Sequence, residues 1–160
     1  MPVLTLRASG RGDIAAVDRL LARAYPRLLK ADYPPSVLVT ALPIISRARP
    51  ELVTCGTYYL AESGTDVVGA GGWTRAGRDG VADIRHVVTD DRRVRQGIGR
   101  AVLLHIFEQA GAAGITLLAC QATRTAVPFY QAMGFVVLGP IEVPLRPGIV
   151  FPAVQMQRRL

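Results

Sequence analysis

The sequence predicts an α/β (α+β) fold: a mixed, mostly antiparallel sheet of about seven strands flanked by about four helices, in the order βααβββαβαββ. Three observations lead there. The chain has 160 residues, half of them apolar, which is enough for one domain with a real core, spanning 1–160. Segments of period-2 alternation are interleaved with segments of helical spacing, separated by glycine and proline signals. One strand, "ITLLACQA" (115–122), is apolar almost throughout, as expected for a strand buried on both faces in a parallel arrangement.

The elements follow in order. "PVLTLRAS" (2–9) alternates Val3, Thr5 and Arg7 against Leu4, Leu6 and Ala8, and reads as a strand. Asp13 is placed to cap a helix in which Ile14, Val17, Leu20, Leu21 and Ala24 recur at helical spacing, with Pro26 near its end. Pro34 and Pro35 suit the start of a second helix through Val37, Leu38, Leu42, Ile45 and Ala48, broken near Pro43. "TYYLAES" and "DVVGAGGWTRA" are strands joined by a turn around 64–66. "VADIRHVVTD" (81–90) is the fourth strand. A helix from about 97 to 113 ends near Gly114, and a short helix in "TRTAVPFYQAMG" ends at Gly134. "FVVLGPIEVPL" and "IVFPAVQMQRRL" are the last two strands, with prolines suited to edges or bulges.

Composition narrows the function classes. The net charge of +7 is almost all arginine, with Lys30 the only lysine. The arginines are scattered except at 92, 93 and 95, with no basic tail or run, so a nucleic-acid partner is not expected. Cys55 and Cys120 cannot form a disulfide framework, and no Cys/His spacing suggests a metal. The first residues lack the charged-then-apolar pattern of a signal peptide, and no run of ~18 apolar residues occurs. A cytoplasmic protein without membrane contact is the expectation.

The chemistry starts at "RRVRQGIGRAVLL" (92–104), where two glycines follow arginines and open a helix. Glycines let backbone N–H groups approach a ligand, a helix N-terminus carries partial positive charge, and guanidinium forks match phosphate oxygens. The third glycine of a dinucleotide fingerprint and the lysine and hydroxyl of a P-loop are both missing. What remains is a concavity of amides around 95–100 suited to a pyrophosphate.

This segment, followed some thirty residues later by "AVPFYQAMGFVVLG", resembles the GNAT superfamily of acetyl-CoA-dependent N-acetyltransferases. The first stretch resembles their Arg/Gln-x-x-Gly-x-Gly/Ala pattern, with Val94 standing where Arg or Gln is usual. The second resembles their Phe-Tyr-x-x-x-Gly-Phe stretch, and the order of elements agrees along nearly the whole chain. The resemblance implies a sheet that splays open between its fourth and fifth strands, with the pantetheine arm of acetyl-CoA against Val87, Val88 and Thr89. It implies a pyrophosphate loop of Val94, Arg95, Gln96, Gly97, Ile98, Gly99 and Arg100, leaving open whether Arg93, Arg95 or Arg100 meets phosphate. It implies Tyr130 as the general acid and a primary amine, small molecule or peptide, as acceptor. A homodimer rests on the resemblance alone.

For the general base, Glu62 and His86 are the candidates, with Asp83 beside them. His105 and Cys120 read as packing residues, as do Trp73, Tyr58 and Tyr59, whose alternative is to line a substrate pocket. A non-catalytic acyl-CoA sensor on the same fold is the competing reading; it would lack a base and an acceptor pocket.

Overall fold

The computed structural model describes residues 3–160; Pro2, where the first strand was expected to begin, lies outside them. Strand β1 (Leu4–Ala8) leads through a 3-10 turn (Arg11–Asp13) into helix α1 (Ile14–Leu29). Asp13 does not cap that helix forward. Its carboxylate turns back to accept from the Gly10 N–H at 2.8 Å and from both terminal nitrogens of Arg7 at 2.8 and 2.9 Å. The Arg7 fork holds the Asp13 carboxyl down at about 2.

Helix α2 (Pro35–Ile45) carries Pro35 in its first turn and Pro43 near its end. The chain then forms α3 (Pro50–Val53), a single turn that periodicity alone merges with α2, so the described residues hold five α-helices where about four are expected. Four residues are too few to show a period, and Pro50, suited to a first turn, is the local signal that marks it.

Strands β2 (Tyr58–Ser63), β3 (Asp66–Arg75) and β4 (Val81–Thr89) form an antiparallel meander beside β1. After a 3-10 turn (Asp91–Arg93) come α4 (Ile98–Ala112), β5 (Leu117–Ala122), α5 (Val127–Ala132), β6 (Val136–Arg146) and β7 (Ile149–Arg159). The seven strands lie in one sheet in the order β1-β2-β3-β4-β5-β7-β6, antiparallel everywhere except between β4 and β5. Prolines fall where ladder hydrogen bonds are not needed. Pro140 and Pro144 lie on the edge strand β6, and Pro152 of β7 lies beyond the end of its pairing with β5.

Two features of the sheet prepare the site. The β4–β5 ladder holds for only three pairs, Val81–Asp83 against Leu117–Ala119. Past Asp83 the strands diverge, leaving one edge of β4 free. Within β4, Val88 pairs with Ala70 and Arg85 with Gly72, so His86 and Val87 together oppose Gly71. That bulge, with His86 in a left-handed conformation (φ 44°), reverses the alternation of side chains. Ile84 joins the core under α4, while Val88 joins the core under α1. A third apolar cluster, where Tyr33 stacks on Phe151 at 4.7 Å, ties α1 and α2 to the β6–β7 hairpin.

Candidate active site

Two cavities lie beside the diverging strands, with Tyr25 and Thr123 in the lining of both. One, of about 640 Å³, runs between β4, the loop before α4, and α5. Nine of the ten residues expected to hold acetyl-CoA line it: Val87, Val88, Thr89, Val94, Arg95, Gly97, Ile98, Gly99 and Arg100. Gln96 does not; it is exposed. Tyr130 lines the same cavity from α5.

The loop is built by backbone conformation. Val94 is extended, Arg95 is left-handed (φ 64°), and Gly97, also left-handed (φ 77°), occupies the N-cap position of α4. Gly97 has open space where a Cβ would stand, so its role is conformational. Gly99 answers to proximity: a Cβ there would approach the Phe129 ring at 3.2 Å and Thr89 Oγ1 at 3.3 Å. No side chain caps α4 and no acidic residue lies in its first turn, so the first amides of the helix face the cavity with their partial positive charge unanswered.

The arginines divide. Arg92 donates to Asp90 through its main-chain N–H and its guanidinium at 3.0–3.1 Å, and Arg93 reaches Asp66 at 3.4 Å. Asp91 receives Arg23 and Arg27 at 3.3 and 3.6 Å. Arg95 and Arg100 line the cavity and take part in none of these ion pairs.

The Tyr130 ring is buried edge-on against Phe129 and Phe135, both at 5.2 Å. Burial raises its hydroxyl well above the usual tyrosine value, with the Cys120 thiol as its nearest titratable neighbour. Burial pushes the Cys120 thiol up to about 12, which leaves it protonated and poorly nucleophilic.

The second cavity, of about 430 Å³, lies across the fork between β4, the α2–α3 segment and the β6–β7 hairpin. His86 and Asp83 line it, while Glu62 lines neither cavity. Glu62 is on β2, separated from β4 by β3, and accepts from Arg7 Nε at 2.7 Å. The geometry therefore withdraws Glu62 as a base. Burial, aided by the charges of Arg85 and Arg49, lowers the His86 imidazole to about 4, so it is neutral at ordinary pH.

The aromatic candidates resolve as packing. Trp73 Nε1 donates to the Tyr59 hydroxyl at 3.1 Å within the core, and the His105 ring meets Tyr59 edge-on at 4.6 Å. Tyr58 is buried, but its hydroxyl donates to the His86 carbonyl at 2.9 Å and so holds the β4 bulge.

Tyr25, which sequence reasoning passed over, lines both cavities, as does Thr123. Tyr25 stands four residues after Leu21 on the inward stripe of α1, one residue before Pro26, and that spacing was its only local signal. Burial raises its hydroxyl above the usual value. Among the described residues no cluster of three or more His, Cys, Asp or Glu could hold a metal, and no helix is long and apolar enough to cross a membrane.

Comparison with known proteins agrees with this geometry. A family described as an acetyltransferase (GNAT) domain matches residues 54–137, just over half of the chain. No curated protein sequence matches. Among solved structures, a GCN5-related N-acetyltransferase from Rhodopseudomonas palustris is similar over 100% of this chain and 96% of its own, with a TM-score of 0.78 at 19% identity. The PaiA N-acetyltransferase from Thermoplasma acidophilum, solved with coenzyme A, is similar over 99% of both chains, with a TM-score of 0.77 at 12% identity. The ribosomal-protein-S18-alanine N-acetyltransferase from Escherichia coli covers 98% of this chain and 94% of its own, with a TM-score of 0.66 at 16% identity.

Proposed function

Because the chain belongs to the GNAT acetyltransferase family, we propose that it moves an acetyl group from acetyl-CoA to a primary amine by direct attack in a ternary complex. The observation that carries this is a pair of neighbouring cavities that share Tyr25 and Thr123 as lining residues, one along β4, the loop before α4 and α5, the other along β4 and the β6–β7 hairpin. A direct transfer needs two substrates to enter from different sides and touch at one point. A sensor that only held acyl-CoA would need the first cavity and not the second.

Acetyl-CoA supplies an acetyl group already activated as a thioester. The amides of the first turn of α4, with Arg95 and Arg100, hold its pyrophosphate, and Val87, Val88 and Thr89 line its pantetheine arm. The β4 edge freed beyond Asp83 offers main-chain donors and acceptors to an amide-bearing arm. As the amine nitrogen forms its bond to the carbonyl carbon, the carbon–sulfur bond breaks and sulfur leaves with the electron pair. Tyr130, kept protonated by burial, gives the leaving thiolate its proton and regains one from solvent. His86, kept neutral, accepts the proton shed by the amine; a weak base suffices, because bond formation itself acidifies that nitrogen. The high value of the Cys120 thiol argues against an acetyl-cysteine route.

Initial rates measured over a grid of acetyl-CoA and amine concentrations, across an amine panel, test this. Acetylated product with intersecting double-reciprocal lines is expected. Parallel lines would contradict direct attack, and no acetyl-CoA-dependent product from any amine would contradict acetyl transfer.

A further inference from the structure

The second cavity has a charge pattern of its own. Two arginines line it, Arg85 from β4 and Arg49 from the start of α3, with one acidic residue, Asp83. Neither arginine is engaged in an ion pair with an acidic side chain among the described residues. Arg85 is held by a single donation to Thr74 Oγ1 at 3.1 Å, which fixes its direction and leaves its other donors open. The charges of both cations reach His86, which lines the same cavity. Apolar side chains, Ile44 and Ile45 on one side and Val143, Leu145 and Phe151 on the other, close the remaining walls.

An acceptor that is itself only cationic would meet net positive charge here. A guanidinium fork with open donors is the geometry that takes a carboxylate in two hydrogen bonds. We propose that the acceptor is an amine that also carries a carboxylate, an amino acid or a close relative, with its acid group on Arg85 and Arg49 and its amine directed to the fork. This rests on the acetyl-transfer reading above and adds the chemical class of the acceptor.

Matched pairs differing only in the acid group test it: glycine against glycinamide, leucine against leucinamide, phenylalanine against phenylalaninamide, glutamate against its diamide, with cadaverine as a cationic control. Release of free CoA thiol from acetyl-CoA is the readout, and calorimetry of acetyl-CoA binding runs in parallel. The amide's amine is less basic and more of it is unprotonated at neutral pH, so intrinsic reactivity runs against the expected preference. In at least one pair kcat/KM is expected to favour the acid by roughly tenfold or more. Arg85→Gln and, independently, Arg49→Gln are expected to reduce that ratio while acetyl-CoA affinity is unchanged. Arg49 is exposed, so its variant carries little risk of misfolding. Acetyl-CoA binding with amides or cadaverine turned over in preference to the acids throughout, or with the ratio unmoved in both variants, overturns this inference alone. No acetyl-CoA binding, or no product from any amine, overturns the acetyl-transfer reading and this inference with it.

Discussion

The ring of Tyr130 is packed edge-on between Phe129 and Phe135, while its hydroxyl faces the Cys120 thiol. Packing and the proposed proton donation can therefore be tested separately at this residue. Tyr130→Phe keeps the ring contacts and removes the proton donor, so kcat is expected to fall roughly a hundredfold or more with little change in acetyl-CoA affinity; single-turnover kinetics and calorimetry read the two apart. His86 offers a second test through pH. The unfolded chain binds the imidazole proton near 6.5, the folded one only near 4. Between those values the unfolded state holds more protons, so stability falls as pH falls from about 6.5 to 4. The window is about 2.5 units at about 1.4 kcal/mol each, so the loss is at most about 3.5 kcal/mol. Denaturant titrations of wild type and His86→Asn at pH 7 and pH 4.5 check this; the variant should lose the part of the slope that belongs to this histidine.

Among the elements, the loop before α4 was the most legible in the sequence, because its function is local. Glycines, neighbouring amides and a helix start lie within seven residues, and all but Gln96 face the cavity. The strands were legible for the same reason, since alternation and turn residues are local signals. What was not legible depends on convergence. Tyr25 on α1, Arg49 at α3 and Arg85 on β4 are far apart in the chain and acquire a role only when the fold gathers them. Glu62 fails in the opposite direction: a carboxylate on the right sheet is claimed by Arg7 two strands from the fork. The β4 bulge is also silent in sequence, since nothing in "IRHVV" announces that His86 will adopt a left-handed backbone. For the loop itself, Gly97→Ala is expected to cost about 1 kcal/mol through its positive φ, read by denaturant unfolding. Arg95→Glu, at an exposed position, should leave stability unchanged and weaken acetyl-CoA binding by about tenfold, with a steeper salt dependence lost.

At the scale of the whole molecule, a single interruption organises the site. The β4–β5 pairing ends after three residue pairs, and two cavities line the strands beyond it while apolar cores persist on either face. Leu118, on the paired part of β5, and Met156, opposite Cys120 on β7, are both fully buried and hold that fork. Leu118→Ala is therefore expected to destabilise the fold by about 2–5 kcal/mol and to lower acetyl-CoA affinity along with it, measured by thermal unfolding with and without ligand. The central claim is that the cleft between β4, the α4 loop and Tyr130 is an acetyl-CoA site. Isothermal titration calorimetry of acetyl-CoA into the protein tests it most directly: one molecule per chain, with weaker binding in Arg95→Glu, is the predicted result, and no detectable binding to the wild-type protein would contradict it.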